Sequence, residues 1–289
     1  MDVDTHTPNR TRYPDDGMDG ATRSRRRRVV EAVAFVAVWV AAGYLLRLSS
    51  NAYLLLGIPL TAAFQALVRR RPVRELFASG TTRFALTGKG AALAAVLAAT
   101  PAYYGVRAVG ERDWATVGWY AAAMGGAAAA AFSLRASSVA TTVRDAARPI
   151  AVGAGGFATV YGVLHVATGA PLPAAAALGA LVKYTALYFP ATFLLEEVAF
   201  RGAVDAHVHH DGESRGWASA VFVSALWGLW HLPVSSGFPL PARVAELLLV
   251  HVVMGVWLSF AWRRTRNLAA PALAHAVNDA VRNATMLGL

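Results

Sequence analysis

The residues with most chemistry to offer fall in three short runs of the C-terminal half. The first is Phe193-Leu-Leu-Glu196-Glu197-Val-Ala-Phe200-Arg201-Gly202, where two carboxylates and a guanidinium close an apolar run. On a helix, Glu197 and Arg201 stand at i, i+4 and share a face. Glu196 is turned about 100° from Glu197. One carboxylate can then be neutralised by the arginine while the other stays available. The second run, Ser224 to Pro233, places Trp227 one turn before His231 and His231 two residues before a helix-stopping proline. The third, His275-Ala-Val-Asn278-Asp279, sets an acid at i+4 from an imidazole.

As a set, Glu196, His231, His275 and Asp279 supply one carboxylate, two imidazoles and a second acid. These are the parts of a water-activating site. The carboxylate polarises water. Imidazoles can ligate zinc, hold the water or stabilise an oxyanion, and Asp279 can orient His275 as an outer acceptor. Glu196, His231 and His275 are thus also candidate metal ligands, with zinc the possible metal. Intramembrane charges equally mark proton pathways, so the parts alone leave a membrane hydrolase and a proton-coupled transporter both open.

Other polar residues have plainer readings. Glu197–Arg201 reads as a structural ion pair, because a buried charge needs a partner. His165 and His251 read as packed, hydrogen-bonded histidines. Lys183 reads as snorkelling toward the outer face, and Glu246 as interfacial. Arg282 and Asn283 flank the site or reach an interface. His207, His209 and His210 with Asp205, Asp211 and Glu213 read as a solvated loop or helix end rather than a metal site.

The elements that must carry these groups are membrane spans. Hydrophobic residues make up 56% of the 289-residue chain, against roughly 45–50% apolar in soluble domains. The excess sits in runs of about 20 residues, the length that crosses a bilayer. The candidate spans are 29–48, 52–68, 90–108, 114–134, 150–169, 176–200 or beyond, 217–232, 243–262 and 267–287. This predicts an all-α fold, a polytopic transmembrane helical bundle with eight or nine membrane segments. Residues 1–28 read as a disordered cytoplasmic tail, 29–175 as transmembrane scaffold and 176–289 as the catalytic core. Arginines cluster in alternate connections, 69–89, 135–149, 201–216 and 263–266, which places those and the N-terminus in the cytoplasm. Trp114, Trp119, Trp217 and Trp262 fall near span ends, where an aromatic belt would lie.

The net charge of +10 follows these span ends and forms no basic patch interleaved with aromatics, so no nucleic-acid partner is expected. The expected partners are membrane lipid and a membrane-associated protein or peptide. The Arg- and Ala-rich composition fits a bacterial plasma membrane. The absence of Cys removes disulfides, thiolate nucleophiles and Cys-based zinc sites.

Depth adds a constraint. Were helix six to end at Arg201, Glu196 would lie only about 8 Å from the cytoplasmic edge while His231 lay roughly 22 Å in. The two meet if helix six continues through Val208. The sequence therefore predicts an unusually long or kinked sixth helix that carries Arg201 and Asp205 into a water-accessible cavity open to the cytoplasm.

Glu196-Glu197-x-x-x-Arg201, Trp227-x-x-x-His231 and His275-x-x-x-Asp279 resemble, in order, the EExxxR, FxxxH and HxxxN/D motifs of the CAAX prenyl protease 2 and bacteriocin-processing family (CPBP, also called Abi) of intramembrane proteases. The resemblance covers about 176–285. It implies peptide-bond hydrolysis, with Glu196 as general base, His231 as a second water contact or metal ligand, and His275 and Asp279 at the oxyanion or a metal. Glu197, Arg201, Trp227 and Asn278 would support the site. The family is usually labelled metalloprotease, and a metal-free glutamate mechanism is also argued for it. This chain departs in carrying Trp227 for the usual Phe and Asp279, beside Asn278, at the last motif position. A non-proteolytic scaffold or bacteriocin-immunity protein on the same fold remains the alternative.

Overall fold

The structure is a computed structural model that describes residues 24–78, 83–135, 137–210, 212–213 and 215–289. The long helices are α1 (Arg25–Leu45), α2 (Ser50–Arg69), α3 (Gly88–Glu111), α4 (Trp114–Arg135), α5 (Val139–Thr168), α6 (Ala174–Val208), α7 (Trp217–Trp230), α8 (Leu240–Thr265) and α9 (Ala269–Thr285). Among the described residues there is no strand, only an isolated bridge between Ala78 and Asn267. Eight helices are long and apolar enough to cross a membrane, α7 being counted with the short turn Leu232–Val234. The protein is an all-α, integral multi-pass membrane protein.

The ninth candidate span is different. Helix α9 has 17 residues and is not among the eight, being shorter than the roughly 20 residues that cross a bilayer. It is stabilised by protein neighbours instead. Ala269, Ala270, Ala272, Ala274, Ala276 and Ala280 are buried, and the helix packs chiefly on α5 and α6. Its polar residues are therefore held inside a bundle rather than exposed to lipid.

Several boundaries differ from the sequence expectation. Ser24 accepts the backbone N–H of Arg27 and opens α1 at Arg25, so Arg25 to Arg28 are helical and belong to the first span. The rest of the expected tail, 1–23, lies outside the described residues. Helix α5 starts at Val139, capped by Ser138, so much of the expected 135–149 connection is helix. Trp262 is 1% exposed and is a core residue, whereas Trp114 and Trp217 are exposed as a belt requires.

Helix α6 organises the bundle. It has 35 residues, roughly 52 Å at 1.5 Å per residue, against a hydrocarbon core of about 30 Å. Pro190 lies within it and removes one backbone donor. From Phe193 to Asp205 the helix widens to π geometry, a form that gathers at functional sites. The expectation of a helix running through Val208 is met. Helix α4 approaches this segment closely because Gly126 has no side chain. A Cβ there would stand 1.9 Å from the Pro190 carbonyl oxygen. The Ala- and Gly-rich run in α4 thus does what small residues do between membrane helices.

Polar ties fix the other helices around α6. Arg263 of α8 donates to Asp205 Oδ1 through Nε at 2.9 Å and Nη2 at 2.5 Å, to the Gly216 carbonyl and to Ser219. This joins α6, α7 and α8 at one end. At the other end of α7, Tyr53 donates to the Trp230 carbonyl at 2.7 Å, and Trp39 donates to the Tyr53 carbonyl at 2.9 Å. Helices α1 and α2 thereby hold the residue that immediately precedes His231.

Candidate active site

The three motif runs sit on α6, α7 and α9. The widened helix directs Glu196 and Glu197 to different neighbours. Glu197 and Arg201 are fully buried and paired, with Nη1 to Oε1 at 3.2 Å. The guanidinium also donates to the Gly255 carbonyl at 3.4 Å and lies 4.4 Å from the Trp227 ring centroid. An unpaired charge here would be costly, and these three partners account for it.

Glu197 does more than pair with Arg201. The same Oε1 accepts from His275 Nδ1 at 2.8 Å. This is the closer of two carboxylate contacts to His275, and it adds a second acid to the Asp279 expected beside the ring. Asp279 Oδ2 stands 3.5 Å from Nε2, on the far side of the imidazole. With Nδ1 committed to Glu197, Nε2 faces both Asp279 and Glu196, the latter at 3.9 Å. The order Arg201–Glu197–His275 resembles the acid–histidine pairing that fixes a catalytic imidazole.

Glu196 receives three groups. Trp227 Nε1 donates to Oε2 at 2.9 Å. His231 Nε2 lies 3.8 Å from that oxygen, and His275 Nε2 lies 3.9 Å from it. His231 Nδ1 donates to the Trp227 carbonyl at 2.9 Å, one turn back along α7, which leaves Nε2 toward Glu196. Glu196, His231, His275 and Asp279 are thus brought together from three helices. Asn278 is not with them. It points to α5, where Nδ2 is 3.5 Å from the Pro149 carbonyl and the side chain packs on Gly153.

Exposure decides which way the site opens. Glu197, Arg201 and Asp205 side chains are at 0%, whereas those of Glu196, Asp279 and His231 are at 12%, 16% and 24%. The exposed groups lie away from the α6 segment that runs to Val208. The expected cavity carrying Arg201 and Asp205 into water is therefore corrected. Both are sealed by protein partners, while Glu196, His231 and Asp279 keep part of their side-chain surface exposed. Arg282, 40% exposed, stands 3.5 Å from Asp279 Oδ1.

The spacing of this donor set does not suit zinc. Two ligands on one tetrahedral zinc stand about 3.4 Å apart at ordinary bond lengths. The imidazole nitrogens stand 3.8 and 3.9 Å from Glu196 Oε2, which already accepts the Trp227 N–H. Among the described residues, no group of three or more His, Asp or Glu side chains is disposed to hold a metal ion. As placed, Glu196, His231 and His275 do not fit one.

The remaining polar residues divide. His165 bonds through its two ring nitrogens to the Ala170 and Thr285 carbonyls and ties α5 to α9, a packing role as expected. Lys183 rests over the Tyr104 and Tyr184 rings at 5.0 and 5.1 Å. The polar run around 205–213 is split among separate partners: Asp205 to Arg263, His207 to Glu31 and His209 to Glu213 and Ser219. Asp211 lies outside the described residues. Asn283 donates to the Tyr188 hydroxyl at 2.9 Å. Two features escaped the sequence reading. One is the indole N–H on Glu196, which the substitution of Trp for Phe should have suggested. The other is the contact of His251 with His231, 4.2 Å between ring centroids; His251 is packed and hydrogen-bonded as expected, but nothing in its local sequence points to that neighbour.

Residues 178–281 match the family model described as Type II CAAX prenyl endopeptidase Rce1-like, which upholds the family read from the three motifs. All four candidate catalytic residues fall inside the match, and α1 to α5 fall outside it. No curated protein and no solved structure gives a significant match.

Proposed function

We propose that this chain, similar over α6 to α9 to the CAAX-type endopeptidases, is an intramembrane endopeptidase that hydrolyses peptide bonds with water activated by Glu196. The observation that carries the reading is the position of one largely buried carboxylate, its side chain 12% exposed, between the Nε2 atoms of two histidines. Oε2 is held by the Trp227 N–H, which leaves Oε1 to accept a proton from water. The oxygen of that water attacks the scissile carbonyl carbon as the proton passes to Glu196. The carbonyl oxygen gains negative charge, and His275, its ring protonated on both nitrogens among the surrounding carboxylates, can donate to it from Nε2. Collapse of the tetrahedral intermediate breaks the C–N bond. Glu196 returns its proton to the leaving amine, so the carboxylate is regenerated.

The geometry favours a glutamate–histidine mechanism without a resident metal, because the imidazole nitrogens stand 3.8 and 3.9 Å from Glu196 Oε2, wider than two ligands of one zinc. The substrate is a membrane-associated protein or peptide, and its path to the site lies along the His231–Asp279 side. The arginine-bearing connections support a cytoplasmic N-terminus.

The test compares wild type with Glu196→Gln and His231→Ala at matched membrane abundance, identifying peptides cut in the host membrane proteome. Cleavage products present in wild type and missing from both variants are expected. Identical product patterns would end the protease reading, and loss of proton-linked solute uptake in the same variants would replace it with a transporter. Extensive chelation followed by assay tests the metal-free mechanism. Activity is expected to persist, and activity restored only by added zinc would overturn it.

A further inference from the structure

Helix α8 lies outside all three motif runs, yet it places a third imidazole against the site. His251 Nδ1 donates to the Leu247 carbonyl at 2.7 Å, one turn back along α8. This repeats the tie of His231 Nδ1 to Trp227 on α7. The His251 and His231 rings face each other at 4.2 Å between centroids and 41° between planes. On its other side His251 meets Trp227 edge-on, at 4.6 Å and 85°. Trp230 closes a third side of His231 at 4.7 Å. With Nδ1 tied to Trp227, the Nε2 edge of His231 is the one turned toward Glu196.

The backbone is built for this approach. Gly228, between Trp227 and His231, lets α7 lie against α8. A Cβ at Gly228 would stand 2.6 Å from the Leu247 carbonyl oxygen and 3.2 Å from His251 Cβ. The same carbonyl anchors the His251 ring, so one close crossing sets both helices' histidines in register. His251 forms no ion pair among the described contacts. A polar ring with no charged partner inside a span carries a desolvation cost that an apolar residue would avoid, and its contacts run to Trp227 and His231 rather than to lipid.

We propose that His251 is a positioning residue of this hydrolytic site: its ring clamps His231 so that Nε2 stays aimed at Glu196, and steadies the Trp227 indole whose N–H holds the base. The role rests on the hydrolase reading for its consequence, but not for its geometry. His251 acts through His231 and Trp227 and does not itself touch the reacting atoms.

Two readouts separate this from a structural role and from failure of the hydrolase reading. The first is the set of His231 imidazole signals in histidine-labelled protein by nuclear magnetic resonance, assigned by loss in His231→Ala. The second is kcat and KM on a membrane peptide that wild type cleaves. His251→Phe keeps a ring and loses the Nδ1 tie; His251→Asn keeps a donor for Leu247 and loses the ring. With the ring doing the positioning, His251→Phe retains a single His231 signal and most of kcat. His251→Asn and His251→Ala shift or split that signal and lower kcat roughly tenfold with KM little changed, the scale expected for a displaced catalytic group. Unfolding temperature, measured on each, should not track the kcat loss. An unchanged His231 signal in His251→Ala overturns the proposal, whether or not the chain cleaves peptides. A shifted signal in a protein without peptidase activity retires the hydrolase reading and leaves the clamp standing.

Discussion

At the residue scale, the two adjacent glutamates divide their labour by burial. Glu196, with 12% of its side chain exposed, accepts the Trp227 N–H and faces the Nε2 atoms of His231 and His275. Glu197 is sealed and shared between Arg201 and His275. Glu196→Gln is therefore expected to remove cleavage by at least about 100-fold, the low end for loss of a general base, with unfolding temperature unchanged. Glu197→Gln should instead lower stability by about 3–5 kcal/mol, as when one partner of a buried pair is lost, visible as reduced folded yield. Full yield with lost activity would show that Glu197 serves chemistry through His275 more than structure. Trp227→Phe restores the residue usual at that motif position and deletes the N–H on Glu196. A roughly tenfold fall in kcat with intact folding is expected, since a hydrogen bond to a charged group contributes about 1.5–3 kcal/mol. The motif residues were legible because costly charges inside apolar runs stand out. The sharing of Glu197 Oε1 was not, because it depends on the turn that α6 makes where it widens. The contact of His251 with His231 was illegible for a similar reason: the approach of α7 to α8 is set by Gly228 in one helix and seen only from the other.

At the scale of elements, the length of α6 was the readable feature. Depth arithmetic on Glu196 and His231 required a helix reaching Val208, and it does. What lies around its lower end was misread. The sequence shows Arg201 and Asp205 as exposed cavity polars, but Arg263, 58 residues away, closes on Asp205 from α8. Arg263→Met should separate α6, α7 and α8 at that end and lower the unfolding temperature by several degrees. A second tie at the same end involves the loop before α7. Burial raises the Glu213 carboxyl, but the Ser219 hydroxyl and backbone N–H, with His209, outweigh it and hold the group below its ordinary range. A carboxylate with a depressed folded value stabilises above its unfolded value and loses that contribution as pH falls through the folded one. Stability should therefore decline on acidification through and below the usual carboxylate range, and Glu213→Gln should flatten that slope in melting curves taken from pH 7 downward. An unchanged slope would show that the Ser219 cap is not what couples this loop to pH.

For the molecule as a whole, the bundle was legible, its ninth segment at 267–287 included; that this segment falls short of a span and packs inside the protein was not. Composition and run length predict spans well because a bilayer fixes their length. Helix α9 evaded that rule because its small face is buried against α5 and α6, which substitutes protein for lipid. The chain's lack of Cys makes orientation directly measurable. Single cysteines at Phe84 and Gly237 should label from opposite sides of sealed vesicles, Phe84 from the cytoplasmic side; the reverse pattern would invert the arrangement inferred from the arginines.

The central claim, that Glu196 activates water for peptide cleavage, is tested most directly with purified protein in liposomes holding a membrane-anchored peptide substrate, in water enriched with oxygen-18. Wild type should yield new C-termini carrying the heavy oxygen, and Glu196→Gln, folded to the same melting temperature, should yield none. Labelled products formed by Glu196→Gln at the wild-type rate would contradict the account.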